Sequence, residues 1–224
     1  MEYGRLVLAR AESPINLPIT KLGGLPVWVE DPAWPVSRAT GELMLFLGQV
    51  ALNPRLFPAG SGRIAYLFMT GGEPRDLATW DPDSGENAVV IQNSSPGRAP
   101  TIIEGPRLVE AYWVEGVARW KPLELAATVC IEEDRPEIPC EEVSEWPCDR
   151  RSEYYGSRSQ RVSGTPDWIQ DDAMPAGWQL LLQVPDYPRV DGDVIQTNWN
   201  FGTGVCYAMI SPDCTEGIIR WQCG

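Results

Sequence analysis

The sequence predicts a β-rich α+β fold in which internally duplicated antiparallel sheets pack into one compact domain with few helices. Glycine and proline each number 21 among the 224 residues, a composition that favours many turns and short strands over long helices. Apolar runs of strand length are separated by loops rich in Gly, Pro, Asn, Asp and Ser. A chain of this length can bury a self-sufficient core, so its stability requires neither a metal nor disulfides.

The first half of the chain alternates strand candidates with turns. A short apolar run at 5–9 opens it, and residues 15–24 (INLPITKLGG) are expected to be irregular or at a sheet edge, because Pro18 cannot donate to a central ladder. Continuous apolar sequence at 43–52 predicts a strand buried on both faces, in which Gln49 is the polar residue. Further strands are expected at 63–69, 88–92 and 101–108.

The second half repeats landmarks of the first. Residues 24–35 (GLPVWVEDPAWP) and 164–175 (GTPDWIQDDAMP) are identical at six of twelve positions. Each copy continues into an apolar strand that ends in Gln-Val, and then into a Gly-led strand containing Tyr66 or Tyr207. Three landmarks in one order favour an internal duplication.

The repeated motif suits a structural role. Its prolines hold the backbone extended, so Trp28 and Trp168 are expected to be matched anchors in the core. Gln49 and Gln183 lie inside apolar strands, where a buried amide without partners would cost about 1–3 kcal/mol. We therefore expect both amides to satisfy backbone groups of the loops, with ligand binding as the alternative.

The character of the sequence changes between the copies. Residues 108–120 (LVEAYWVEGVARW) are the best candidate for an amphipathic helix. We divide the single domain, 1–224, into a pseudo-repeat at about 15–120, a connecting segment at about 121–160 and a second pseudo-repeat at about 161–224.

Negative charge is concentrated in the connecting segment. Arg150, Arg151, Arg158 and Arg161 follow the acids, so the segment either neutralises itself as a pair of loops or binds a partner. Both readings stay open. Between residues 132 and 145 the acids are Glu132, Glu133, Asp134, Glu137, Glu141, Glu142 and Glu145.

The overall charge narrows the class of partner. A net charge of −13 and a pI near 4.4 disfavour nucleic acid and anionic membranes and favour basic proteins, although acidity for solubility alone is equally compatible. The sequence shows neither an export signal nor a run of eighteen apolar residues. All six cysteines lie in the second half and are expected to be reduced thiols, so we expect a cytoplasmic protein.

The sequence contains no evident catalytic constellation. Histidine is absent, which removes Ser-His-Asp, Cys-His and histidine–metal chemistry. Neither a Gly-rich phosphate loop nor a Cys-x-x-Cys pair is present. Residues 81–92 (DPDSGENAVVIQ) fail the calcium-loop pattern at Gly85 and Gln92, so a turn rich in Asp, Ser and Gly is expected at 81–86, before the strand at 88–92. We expect no catalytic residues, no metal and no other cofactor.

Several of these segments together resemble the YwqG-like family, a bacterial domain family of uncharacterised function. The resemblance rests on residues 21–35, 43–52, 62–69 and 80–92 and on the closing WQLLLQV and WNFGTGVCYAMI, and it leaves out about 120–160. It implies a compact α+β fold built by duplication, with antiparallel sheets. No catalytic residues are assigned in that family, so none is transferred. Its members look like stand-alone proteins or modules encoded beside bacterial toxin and secretion loci, where similar proteins serve as immunity partners.

These observations lead to a hypothesis of a non-enzymatic immunity protein that occludes a basic, cytoplasmic-acting toxin, plausibly a nuclease. Acids would steer the encounter and aromatic side chains would anchor the complex. The candidate partner-binding residues are Glu132, Glu133, Asp134, Glu137, Glu141, Glu142, Glu145, Trp146, Tyr154 and Tyr155.

The alternative hypothesis is a small-molecule or glycan binder, or a cryptic hydrolase. Its ligand would lie in a cleft between the two repeats, lined by Trp34, Gln49 and Gln183. Trp34 is singled out because Met174 replaces it in the second copy.

Overall fold

A computed structural model describes residues 2–71, 77–134, 145–148, 160–199 and 201–223, and strands dominate them. The first eight strands are β1 (Glu2–Arg10), β2 (Lys21–Gly23), β3 (Leu45–Ala51), β4 (Arg63–Met69), β5 (Asn87–Asn93), β6 (Val109–Val114), β7 (Val117–Pro122) and β8 (Glu124–Glu133). The remaining strands are β9 (Arg161–Val162), β10 (Gln179–Pro185), β11 (Arg189–Val190), β12 (Asp193–Val194), β13 (Val205–Ile210) and β14 (Gly217–Gln222). The one helical element with both ends inside the described ranges is the 3-10 turn Pro58–Gly60.

Most strands join one large, mainly antiparallel sheet in the order β14-β13-β10-β9-β1-β8-β2-β3-β4-β5. Its two ends approach each other. Trp221 on β14 donates from Nε1 to Oγ1 of Thr79, in the loop that leads to β5, at 3.0 Å. A Cβ on Gly217 of β14 would lie only 2.5 Å from Val89 of β5, so these two strands pack closely there. The sheet is therefore nearly closed.

This architecture confirms part of the predicted fold class and corrects the rest. The β-rich composition and the scarcity of helix are as predicted. The strands do not form an α+β arrangement of duplicated sheets, because β1 and β8 pair along their length, from Glu2 with Glu133 to Arg10 with Leu125. That central pair joins the strands of both halves into a single sheet.

Strands β3 and β4 are buried on both faces, as the apolar sequences at 43–52 and 63–69 predicted. One face contributes Leu45, Leu47 and Leu67 to the main core, while the other contributes Phe46, Tyr66 and Phe68 to a smaller cluster around Trp28. The two clusters arise because successive side chains of a strand point to opposite faces. The outer cluster exists only because the segment containing Trp28 folds over the outside of the sheet.

The strand pairs β3–β4 and β10–β13 correspond closely. Each has an irregular register near its start, between Phe46 and Gly48 in the first and between Leu180 and Leu182 in the second. Each then places a glutamine opposite a tyrosine, Gln49 with Tyr66 and Gln183 with Tyr207.

The predicted helix at 108–120 is wrong. The chain there forms the hairpin β6–β7, with Val114 opposite Val117. Glu115 and Gly116 between them have φ of 49° and 78°, which is the pair of left-handed conformations that a tight two-residue hairpin turn requires. The helical spacing of apolar residues was outweighed by this turn and by the β-branched and aromatic residues on either side of it.

The segment 101–108 also differs from its prediction as a strand. It forms only isolated bridges, Thr101 with Trp28 and Arg107 with Phe46. The predicted turn at 81–86 is confirmed. In the ranges that the structure describes, no helix is long and apolar enough to cross a membrane.

Candidate functional site

The hairpin β6–β7 presents the most prominent aromatic surface of the described chain. Alternation along the two strands places Ala111, Trp113, Ala118 and Trp120 on one face, which we call the tryptophan platform. Trp113 pairs with Ala118 and Trp120 with Ala111, so the two indoles are diagonal neighbours across the hairpin. Their exposed fractions are 66% and 48%. Large indoles left in water on one face are typical of a binding surface.

The hairpin is held to the body of the protein through β6. Ala111 donates its N–H to the carbonyl of Gln196 at 2.9 Å, and Val109 donates to Asn198 Oδ1 at 2.8 Å. Strand β7 forms the outer edge, and all six of its residues are exposed. The platform therefore lies on a hairpin whose strand β6 is hydrogen-bonded to the body of the protein. The outer edge of strand β7 has no neighbouring strand among the described residues.

A buried carboxylate anchors the opposite face of the hairpin. Glu110 is 3% exposed and lies 3.0 Å from an Arg10 guanidinium nitrogen and 2.9 Å from Lys121 Nζ. Burial alone would raise the pKa of Glu110, but the hydrogen bonds and charges of Arg10 and Lys121 hold the pKa below its ordinary value. This carboxylate therefore stays ionised near neutral pH and ties β6 to β1 and β7.

The structure describes five of the ten predicted partner-binding residues. Glu132 accepts from Tyr3 and Arg5 at 3.0 and 2.8 Å, so its charge is partly neutralised within the fold. Asp134 accepts from Arg161, at 3.4 Å, and from the N–H of Thr165 at 2.6 Å. Glu133 and Glu145 are exposed, and Trp146 is half-buried. Glu137, Glu141, Glu142, Tyr154 and Tyr155 lie outside the described residues.

The alternative ligand residues contact two matching segments that we call the first clasp, residues 27–31, and the second clasp, residues 167–171. Gln49 Oε1 accepts from the N–H of Val27 at 3.0 Å, and its Nε2 donates to the carbonyl of Ile19 at 2.9 Å. Gln183 Oε1 accepts from the N–H of Asp167 at 2.9 Å. The prediction that these amides satisfy loop backbone groups is confirmed. Both side chains are buried, which removes them from any ligand at the surface.

Trp34 covers the first clasp. Its Nε1 donates to the carbonyl of Met44 at 2.7 Å, and its ring meets that of Trp28 edge-on, with 6.3 Å between the centroids. The ring also fills the space beside Gly105, where a Cβ would lie 2.3 Å from the indole. Trp34 is thus a packing residue here.

Two further glutamines complete the clasps, and the sequence comparison did not pair them. Gln92 accepts through Oε1 from the N–H groups of Val29 and Glu30, at 3.1 and 3.0 Å. Gln222 accepts from Ile169 and Gln170 at the same two distances. Each lies at or next to the end of a strand that carries β-branched residues, VVIQ in β5 and IIRWQ in β14, and that shared pattern was the available signal. For the platform the signal was Gly116 between two short runs of β-branched and aromatic residues.

The comparison with known families places this geometry in context. A family model described as "Domain of unknown function (DUF1963)" matches residues 20–215, which is well over half of the chain. No match was found among curated proteins. The chain belongs to the DUF1963 family.

Proposed function

We propose that this member of the DUF1963 family is a non-enzymatic protein-binding module whose partner docks on the tryptophan platform. The observation that carries the proposal is the pair of exposed indoles, Trp113 and Trp120, on one face of a braced hairpin. Tryptophan is enriched among the residues that dominate binding energy at protein interfaces. The residues required to hold the hairpin in place, such as Glu110, lie on the other face and leave the indoles free for contact.

The charge of the chain supports a basic protein as the partner. With a net charge of −13, the protein attracts basic proteins over distances of about a Debye length and repels acidic ones. A basic toxin, plausibly a nuclease, is therefore the partner we propose, and the protein would act as a bacterial immunity protein that occludes it. The acids from Glu132 to Glu145 would steer the encounter. We also propose that the protein is a member of the YwqG-like family.

We place the protein in the cytoplasm. Five cysteines fall inside the described ranges, and all of them are free thiols, with Cys206 and Cys214 buried. Free thiols in a chain with this many cysteines are typical of a reducing compartment.

The test combines partner capture with a growth assay. Tagged wild-type protein, a Trp113→Ser/Trp120→Ser variant and a Tyr112→Ser control are expressed in the native host, and captured proteins are identified by mass spectrometry. Tyr112 is on the opposite face of the same hairpin and is comparably exposed, at 41%, so it controls for local disturbance. We expect one basic protein to be retained by wild type and Tyr112→Ser and lost by the double variant.

The identified protein is then expressed alone and together with each variant. Growth arrest that is relieved by wild type and by Tyr112→Ser, but not by the double variant, supports the immunity role. If the captured protein is harmless, the immunity role is wrong. If the double variant captures the same protein as wild type, the platform is not the interface.

A second candidate function is glycan binding, because two neighbouring indole faces can also stack against sugar rings. Titration with glycan arrays separates the two functions. Binding of a glycan that is lost in the double variant would favour this second candidate.

A further inference from the structure

The first clasp is covered by a segment from elsewhere in the same half of the chain. Trp28 donates its N–H to the carbonyl of Thr101 and accepts from the N–H of Thr101, both at 2.9 Å, which forms an antiparallel bridge. Trp28 is completely buried. We call residues 97–105 (GRAPTIIEG) the cover segment.

The cover segment makes two other kinds of contact. Arg98, three residues before Thr101, forms an ion pair with Asp31 at 2.5 Å. Ile103, two residues after Thr101, packs against the aromatic cluster around Trp28. The first clasp therefore binds an extended segment through one backbone bridge, one basic side chain and one branched apolar side chain.

The second clasp repeats the internal geometry of the first. Tyr207 donates to the carbonyl of Asp167 at 2.5 Å, as Tyr66 donates to that of Val27 at 2.7 Å. The ring centroids of Trp168 and Tyr207 are 4.5 Å apart, and those of Trp28 and Tyr66 are 4.6 Å apart. Asp171 occupies the position that Asp31 has in the first clasp.

The second clasp differs in lacking a cover among the described residues. No described segment pairs with the N–H and carbonyl of Trp168, whose side chain is half-buried where Trp28 is fully buried. Ile169 is 43% exposed, and Asp171 is exposed and forms no ion pair with a described residue. As far as the described residues go, a donor, an acceptor, an indole and a carboxylate are thus without a covering segment, in the arrangement that binds the cover segment in the first clasp.

We propose that the second clasp binds an extended segment of a partner protein, which pairs through its backbone with Trp168 and places an Arg or Lys against Asp171. By the geometry of the cover segment, the basic residue precedes the pairing residue by three positions, and a branched apolar residue follows it by two. This is recognition by strand addition, in which backbone hydrogen bonds supply affinity and side chains at fixed positions supply specificity. The site is separate from the tryptophan platform, and the inference does not rest on the proposed function.

The chemistry of the site favours a basic peptide segment from another protein. Asp171 in the second clasp and the adjacent Asp172 are both exposed acids, which complement a cationic side chain. Trp168 offers its N–H and its carbonyl together, which are the two groups that one residue contributes to an antiparallel bridge. A second copy of this chain would have to release its own cover segment, which is already bonded to Trp28.

The test uses the cover segment itself as the probe. A synthetic GRAPTIIEG peptide is titrated into the full-length, ¹⁵N-labelled protein. We expect saturable shifts of the Trp168 and Ile169 backbone amides, while the Trp28 amide, already bonded to Thr101, serves as an internal reference that does not shift. A peptide with proline in place of threonine has no N–H at the bridge position and is expected not to bind.

Charge variants test the ion pair. Asp171→Arg should lower the affinity for the peptide by about two- to five-fold, which is the effect expected for an exposed ion pair. A peptide with Glu in place of Arg should bind the Asp171→Arg variant more tightly than it binds wild type. Glu42→Arg makes the same change in net charge at an exposed position outside both clasps and should leave binding unchanged. The proposal is wrong if the Trp168 amide does not shift, or if the proline peptide binds as well as the original peptide. It is also wrong if the peptide displaces the cover segment at Trp28, or if the protein forms a dimer that excludes the peptide.

Discussion

Tyr66 and Tyr207 are structural counterparts that close the two clasps in the same way. Each hydroxyl donates to one backbone carbonyl, of Val27 or Asp167, and accepts at 3.2 Å from the N–H two residues further on, of Val29 or Ile169. Burial raises the pKa of both phenols above the ordinary value, so both remain donors throughout the physiological range.

The two tyrosines should differ in their contribution to stability. Tyr66→Phe leaves the fully buried carbonyl of Val27 without this donor, and we expect it to lower the free energy of unfolding by about 1–3 kcal/mol. Tyr207→Phe should cost less, because water can reach the half-buried Asp167. Urea denaturation of the two variants measures the difference. Equal losses of unfolding free energy would mean that the second clasp excludes water as fully as the first.

The loss of stability on replacing a tryptophan should increase with the burial of its side chain. Trp28→Ala removes a completely buried ring and is expected to cost about 3–5 kcal/mol. Trp168→Ala should cost less because the ring is half-buried, and Trp113→Ser should change stability by no more than about 0.5 kcal/mol because the ring is largely in water. Urea denaturation of all three gives the order. A large loss with Trp113→Ser would show that the platform supports the fold.

Gly24 should be required for the buried pair of Lys21 and Glu124. The pair spans 2.6 Å, and a Cβ on Gly24 would lie 2.3 Å from the Glu124 carboxylate. Gly24 and Gly62 both have positive φ, but a Cβ on Gly62 meets nothing within 4 Å. Gly24→Ala should therefore lose about 1–3 kcal/mol more than Gly62→Ala, as measured by thermal or urea unfolding. Similar losses would mean that Glu124 moves aside freely.

The pairing of Glu110 predicts a dependence of stability on acidity. Because its folded pKa lies below the unfolded value of about 4.3, its contribution is complete above that value and is lost as the pH falls through the folded pKa. Urea unfolding between pH 7 and pH 3 should show less acid destabilisation in Glu110→Gln than in wild type. Glu133→Gln, at an exposed position, should keep the wild-type profile. Identical profiles in wild type and Glu110→Gln would contradict the assignment.

The described cysteines should react in order of exposure. Cys148 is exposed, whereas Cys206 is buried and burial raises the pKa of its thiol, so little thiolate forms. At pH 8 a thiol reagent should modify Cys148 in the native protein and Cys206 only after unfolding. Mass mapping of the labelled residues checks this, with Cys148→Ser as the control that removes the early label. Native labelling of Cys206 would show local opening of β13.

Sequence reasoning succeeded where local pattern and burial agreed. The apolar run around Gln49 predicted β3 and its burial on both faces, and the need to bond a buried amide predicted what Gln49 and Gln183 do. It failed at 108–120, because helical and strand spacing overlap in so short a run and the Glu115-Gly116 turn decided between them. The platform was therefore missed, since only the hairpin brings Trp113 and Trp120 to one face.

The sequence by itself determined strands β3, β4 and β5 and the order of the landmarks that the two halves share, because those follow from apolar runs and turn residues at fixed local spacing. Only the tertiary structure decided which clasp is covered. Trp28 and Trp168 occupy equivalent motifs, but Trp28 is buried by a segment more than sixty residues away in the chain. The pairing of β1 with β8 likewise merged both halves into one nearly closed sheet. Such contacts join residues that are distant in sequence, and a local sequence pattern does not indicate which distant segment will pack against it.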